Sequence, residues 1–254
     1  MQILVPYGPG EALRVDLPDE RVAGIIHPNQ VSVADREQVL ERALSQPLGS
    51  VTLDQFLKDA GELLILVNDA TRPTPTAEVL RDLAPRLSEL RIQFLVATGS
   101  HRGPTEEESR RIFGPLYERY SQQIAIHDAR RSDEMVSIGT SQRGTELSIN
   151  RRVLDAPRIL VIGSVEPHYF AGYTGGRKAF LPGVAGFQTI EQNHRLALRK
   201  EAQSLVLEGN PVHEDMVDVL KPLADKQIFA IHTVLDREHR IYACTAGDLQ
   251  LSFA

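Results

Sequence analysis

Short, almost unbroken apolar runs constrain this chain more than any other feature. They lie at residues 63–68 (LLILVN), 92–97 (IQFLVA), 159–163 (ILVIG) and 228–234 (IFAIHTV). Each is the length of a strand and shorter than a helix, and each is bounded by turn residues. Continuous apolar runs of this length suit strands covered on both faces, whereas a sheet wet on one face would show strict alternation. Residues 3–7 and 123–127 (QIAIH) read as two further strands.

Helical patterns fill the gaps. Val39, Leu40, Ala43 and Leu44 make one apolar stripe. Thr74-Pro75 reads as a helix start, with Thr as N-cap and Pro at the first helical position. The pairs Thr105/Glu108 and Thr189/Gln192 fit capping boxes. Asn210-Pro211 opens a further helix with Val212, Met216 and Val219 on one face. Residues 128–157 lack periodicity and predict a hairpin or an irregular crossing. This alternation predicts an α/β fold with a mostly parallel, Rossmann-like sheet flanked by helices.

Composition removes several functions. Of 254 residues, 42% are hydrophobic and 24% charged, which is the balance of a globular chain rather than a disordered one. No apolar run approaches the ~18 residues of a membrane span. The first twenty residues become charged too soon for a signal peptide. A net charge of −6 without a dense basic block argues against nucleic acid and anionic membrane as partners. A single cysteine, Cys244, leaves no disulfide framework and no cysteine-based metal site, so a cytoplasmic location is expected.

The chemistry-bearing residues follow the strands. After residues 63–68 come Asp69-Ala-Thr71-Arg72-Pro73; after 92–97, Thr98-Gly-Ser-His101; after 159–163, Ser164-Val-Glu166-Pro-His168. Ligands of open α/β sheets bind at carboxyl ends of strands. Any one of these segments alone reads as a capped or solvated loop; three at one edge read as a site.

A glycine-rich segment then runs through Gly172, Gly175, Gly176, Arg177, Lys178, Pro182 and Gly183. Its glycines would let backbone amides approach a phosphate, with Arg177 and Lys178 adding charge. It is neither a Walker A loop nor a dinucleotide fingerprint, since neither glycine spacing is present. The segment suits an anionic ligand or a lysine placed for covalent attachment, which requires a deprotonated amine. His194 is expected in the first turns of the helix after Thr189.

Together these pieces resemble the nickel-dependent lactate racemase family. The resemblance rests on Asp69-Ala-Thr-Arg72-Pro73, Thr98-Gly-Ser-His101, Glu166-Pro-His168, Gly175-Gly176-Arg177-Lys178 with Leu181-Pro182-Gly183, His194, and Gly209-Asn-Pro-Val-His213. It covers roughly residues 60–215. The resemblance implies a nickel-pincer nucleotide, a pyridinium mononucleotide whose sulfur-bearing arms bind nickel, joined to Lys178 through a thioamide. It implies His194 as the axial nickel ligand, His101 and His168 as acid and base, and Arg72 as the clamp for a substrate carboxylate. Asp69 would orient Arg72 or the cofactor ribose, and Thr71, Gly175 and Gly176 would line the cofactor site.

The implied reaction is racemisation or epimerisation of a small, lactate-like 2-hydroxy acid by proton-coupled hydride transfer. The α-hydrogen of such an acid is too weakly acidic for simple deprotonation, whereas hydride loss becomes easier as the hydroxyl is deprotonated. The implied partners are cofactor-synthesis and nickel-insertion proteins. Residues 1–254 would be the cofactor-binding N-terminal domain, with the family's second domain, which supplies a further lysine, largely absent. The alternative is a non-catalytic domain that binds a nucleotide or hydroxy acid; two acid–base histidines argue against it. His27, His127, His232 and His239 are expected to be structural or solvated, His213 part of a helix start, and Cys244 a small core residue.

Overall fold

Residues 1–7, 11–26, 31 and 35–253 are described by the computed structural model, in two units, 1–31 and 32–254. His27 lies outside the described residues. In the first unit, β1 (Gln2–Pro6) pairs antiparallel with β2 (Ala12–Asp16), Gln2 opposite Asp16. Thus the run at residues 3–7 does form a strand, but in a hairpin rather than in the parallel sheet. Pro6 at its end lacks an N–H for a central ladder, which fits a two-stranded edge.

The second unit runs α1 (Arg36–Ser45), α2 (Leu53–Leu57), β3 (Glu62–Asn68), α3 (Thr76–Leu87), β4 (Arg91–Ala97), α4 (Glu106–Phe113), α5 (Tyr117–Tyr120) and β5 (Ile124–Ile126). A hairpin follows, β6 (Met135–Thr140) with β7 (Glu146–Asn150), in the stretch that lacked periodicity. Then come α6 (Arg151–Asp155), β8 (Arg158–Ser164), the short pair β9 (Pro167–His168) and β10 (Gly172–Tyr173), α7 (Phe187–Arg195), α8 (Pro211–Asp218), β11 (Gln227–Leu235) and β12 (Ile241–Gly247). Among the described residues, no helix is long and apolar enough to cross a membrane.

The central sheet has the order β12-β11-β8-β3-β4-β5, parallel throughout except for β12 at the edge. The chain builds outward from β3 to β5, then returns to the other side of β3 with β8. That reversal creates a crevice beyond the carboxyl ends of β3 and β8, the usual ligand site of a doubly wound sheet.

Both sheet faces are covered, as the apolar runs require. Leu63, Ile65 and Val67 face one core with Phe94, Leu160, Ile162 and Phe229. Leu64 and Leu66 face the other, with Ile159, Val161, Phe180 and Met216. Each such side chain contributes roughly 1.5–3 kcal/mol by leaving water. The helices are stopped and started by side chains. Asp35 caps α1, Thr105 and Glu108 form the expected box on α4, and Asn210 accepts from Val212 N and His213 N to open α8.

Two expected caps do other work. Helix α3 begins at Thr76, and Thr74 instead accepts from Asn68 Nδ2 at 2.7 Å and bonds Ser164 Oγ at 2.8 Å. Its hydroxyl therefore braces the ends of β3 and β8. Helix α7 begins at Phe187, and Thr189 lies inside it, donating to Glu146 O at 2.7 Å. His194 consequently sits in the last turn of that helix, not the first. A threonine hydroxyl serves a lateral neighbour as readily as an orphan amide, and the sequence shows only the latter.

Candidate active site

Asn68 at the end of β3, the turn after β4 and the loop after β8 open onto one cleft. It is lined by Asp69, Arg72, His101, His168, Tyr169, Phe170, Gly175, Gly176, Lys178, His194 and His232, among others, and encloses about 140 Å³. The three strands concerned, β8, β3 and β4, are neighbours in the sheet. The cleft thus brings together residues separated by up to 164 positions, Asn68 to His232.

One wall is built by β3 and β4. Asp69 is buried, and its Oδ2 lies 2.8 Å from His101 Nδ1. Its Oδ1 accepts from Thr71 N at 2.9 Å and from the Thr71 hydroxyl at 2.6 Å. The carboxylate therefore holds His101 and Thr71, whereas the resemblance implies that it orients Arg72 or the cofactor ribose. A tight turn, His101 N to Thr98 O at 3.0 Å, aims the imidazole, which stays half exposed. Arg72 is half-buried, and its guanidinium makes no ion pair among the described residues. It is free to receive a carboxylate.

The opposite wall is the glycine loop. His168 in β9 pairs with Gly172 in β10, so the chain folds back tightly enough for Ala171 N and Phe170 N to donate to His168 Nδ1, at 3.3 and 3.5 Å. Further on, Gly176 has φ +54°, a left-handed conformation that favours glycine, and an added Cβ would meet the Phe253 ring at 3.0 Å. The Gly176 N–H donates to His232 Nε2 at 2.9 Å. His232 is fully buried and holds this loop, which gives the structural reading of that residue a specific purpose.

Arg177 does not face an anion. It is 2% exposed and donates to the carbonyls of Ala171 (2.7 Å), Tyr173 (3.0 Å), Thr174 (3.5 Å) and Gly175 (3.3 Å), with its guanidinium over the Phe253 ring. The loop is wrapped around its own arginine. Burial lowers the Arg177 pKa to about 9, so it remains a cation at neutral pH.

That buried cation shapes its neighbours. Lys178 falls to about 7, first through burial and then through Arg72 and Arg177. A substantial neutral fraction of this amine therefore exists at physiological pH. His168 falls to about 3, through burial and then through Lys178, Arg72, His194 and Arg177. It remains a neutral imidazole. His194 places Nδ1 2.8 Å from Ile190 O, so Nδ1 carries the proton and Nε2 keeps its lone pair for a ligand role. Burial lowers its pKa as well. Phe170 separates these groups, edge-on to both the His168 and the His194 rings.

The remaining histidines divide by burial. His127 is buried, donating from Nε2 to Ala185 O at 3.0 Å, and His239 is exposed in the turn before β12. His213 lies in the first turn of α8, and Cys244 is half-buried against the core. Sequence reasoning gave Asn68 and Ser164 no role of their own, read Thr74 as a helix cap and took His232 as structural or solvated. Asn68 and Ser164 end β3 and β8, the one signal that could have marked them as braces.

A family model described as the lactate racemase N-terminal domain matches residues 7–205. Lactate racemase from Thermoanaerobacterium thermosaccharolyticum is 36% identical over 96% of this chain and 59% of its own length. Lactate racemase from Lactiplantibacillus plantarum is 31% identical over 97% of this chain and 59% of its own length. The chain spans about three-fifths of these curated relatives. The solved lactate racemase apoprotein from T. thermosaccharolyticum superposes with a TM-score of 0.83 at 34% identity, covering 99% of this chain and 60% of that one. A Thermotoga maritima protein shares the fold, with a TM-score of 0.69 at 19% identity over 85% of this chain and 56% of its own.

Proposed function

The chain belongs to the lactate racemase N-terminal domain family, and from that premise we propose that residues 1–254 form the cofactor- and substrate-binding domain of a cytoplasmic racemase or epimerase of a small, lactate-like 2-hydroxy acid. The observation that carries this reading is Lys178. Burial lowers its amine pKa to about 7, in a cleft it shares with an unpaired arginine and four histidines.

The residues present fit a nickel-pincer nucleotide. Lys178 offers a nucleophilic amine for covalent attachment. His194 offers a bare Nε2 oriented by a backbone carbonyl, and imidazole suits nickel. Asp69, Gly175 and Gly176 line the cleft and could line such a group, though Asp69 and Gly176 already hold His101 and His232; Thr71 is not among the lining residues and reaches the site through its bonds to Asp69. When bound, the cofactor would supply a carbon that accepts hydride from the substrate α-carbon and returns it to either face.

The protein does the rest. Arg72 grips the substrate carboxylate through two parallel hydrogen bonds, which fixes the hydroxyl in the cleft. His101 takes the hydroxyl proton at Nε2, and the Asp69 carboxylate behind it stabilises the imidazolium that forms. His168 is the second proton site, on the glycine-loop wall. Burial of His168 and of the Lys178 side chain disfavours the charged form of each. The partners this reading requires are the cofactor-synthesis and nickel-insertion proteins.

Co-expression with the cofactor-making enzymes tests it. Intact-protein mass spectrometry should show a covalent increment that peptide mapping places on Lys178 and that Lys178→Ala lacks. His194→Ala should keep the increment and lose nickel. An increment on another residue, or none in fully supplied cells, would overturn the assignment.

A further inference from the structure

Histidine exchanges roles freely in water because either ring nitrogen can hold the proton. In this cleft the neighbours remove that freedom, and they do so in opposite senses on the two walls. Resting on the racemase reading above, we propose that His101 and His168 are locked in opposite tautomers, so that at rest only His101 presents a bare Nε2 while His168 presents an N–H. Asp69 and the backbone amides of Phe170 and Ala171 are the positioning groups.

What each Nδ1 partner can donate or accept fixes where the ring hydrogen sits. The group 2.8 Å from His101 Nδ1 is the Asp69 carboxylate, and an ionised carboxylate only accepts. Nδ1 must therefore carry the hydrogen, which leaves Nε2 bare. Thr71 lies 3.3 Å from the same Nδ1, but its one hydroxyl proton is committed to Asp69 Oδ1 at 2.6 Å. It cannot donate to the imidazole. Asp69 is 5% exposed and held by the Thr71 N–H as well, so the carboxylate has no room to turn away.

The partners of His168 Nδ1 are of the other kind. Ala171 N at 3.3 Å and Phe170 N at 3.5 Å are backbone amides, which only donate. Nδ1 must therefore be bare, and a neutral ring then carries its hydrogen on Nε2. The β9–β10 reversal, with His168 opposite Gly172, fixes these amides in place. Burial, and after it the cations around His168, disfavour a second proton that would erase the distinction.

The two hands of the substrate then meet different groups. A hydroxyl presented to His101 meets an acceptor: its proton moves from oxygen to Nε2, and the ring becomes an imidazolium beside Asp69. A hydroxyl presented to His168 meets a donor. Before that ring can accept, it must release both amide contacts, lose its Nε2 proton to water and take one from water at Nδ1. Enantiomers have equal free energy, so kcat/KM must be equal in the two directions. The inequality therefore falls on kcat and KM separately, with one hand binding as a ready complex and the other as one that must rearrange.

Histidine ¹⁵N spectra of the cofactor-free chain test this without any turnover. They would be recorded at about pH 8, above the ordinary imidazole range near 6.5. His101→Gln and His168→Gln serve only to assign the resonances. His101 should show a protonated Nδ1 and a bare Nε2, and His168 the reverse. Asp69→Ala should release His101 to the mixture seen in free histidine and leave His168 unchanged. Matching tautomers in the two rings would overturn the proposal from the wild-type spectrum alone, whether or not the variant folds. An unmoved His101 in folded Asp69→Ala would overturn the role of Asp69. Neither result touches the adduct on Lys178, so this proposal and the racemase reading fail by separate measurements.

Discussion

The two walls of the cleft carry the same side chain in contrasting settings. On the β3–β4 wall, His101 is half exposed and backed by a buried carboxylate. On the glycine-loop wall, His168 is buried, its Nδ1 meets backbone amides rather than a carboxylate among the described residues, and it feels the charges of Lys178, Arg72 and the buried Arg177. What distinguishes the two histidines is not the imidazole but what the fold has packed around each. The sheet supplies one environment and the loop the other.

The largest effect expected from breaking either wall is on rate. In cofactor-loaded protein that racemises, His101→Ala and His168→Ala should each reduce turnover per folded molecule by about 10² to 10⁴-fold, the usual loss for a missing acid or base. Nickel content should stay near normal in both. Near-normal turnover in either variant would leave its wall without a catalytic part and end the comparison.

A smaller effect, on stability, isolates the loop wall. Arg177→Met removes the group on which four carbonyls converge and leaves them buried. Hydrogen bonds to charged groups are worth about 1.5–3 kcal/mol, but removing this arginine also removes the cost of burying its charge. A net loss of about 2–4 kcal/mol is expected in denaturant unfolding. The matching change on the other wall, Asp69→Asn, should cost less, because Asn can still accept from Thr71. Equal losses would mean that the loop is not built around its arginine.

A further effect is the pH dependence of stability. His168, His213 and His232 have folded-state pKa values near 3, 4 and 4, below the unfolded 6.5, each first through burial. Between those values the unfolded chain binds more protons, so stability rises with pH there. The contribution is fully present above about 6.5 and is lost as pH falls from there toward 3. The denaturation midpoint should therefore drop on acidification across this window, and His232→Gln should flatten the drop. A midpoint constant across the window would remove the low-pKa histidines from the loop wall.

Much of this architecture was legible in the chain. Residues 63–68, 92–97, 159–163 and 228–234 could hardly be anything but strands covered on both sides, and all four lie in the central sheet. The gathering of Asp69, His101, His168 and Lys178 followed from their places after strands. What escaped was decided by partners far away in sequence. β12 forms because β11 offers it an antiparallel edge, and its own run, IYACTAG, is too mixed to declare itself. Arg177 looked like an anion contact because nothing in GGRKA reveals that four carbonyls from residues 171–175 close over it. The resemblance implies that Asp69 orients Arg72 or the cofactor ribose, and nothing nearby in the chain reveals that its carboxylate also meets His101, thirty-two residues on. Thr74 and Thr189 fitted cap patterns, but lateral neighbours claimed their hydroxyls.

The central claim is that the loop wall holds Lys178 as a nucleophilic amine at neutral pH. Competitive acetylation reads this directly: trace reagent, a model lysine peptide as internal standard, and the Lys178 peptide quantified by mass spectrometry from acid to alkaline pH. The midpoint of the rate profile reports the amine's titration whatever its accessibility. The account predicts that Lys178 reactivity rises through about pH 7 and then levels, while the standard climbs through its ordinary value of about 10.4. A Lys178 profile that tracks the standard would contradict the account, because an amine protonated throughout the neutral range could not serve as the attachment point.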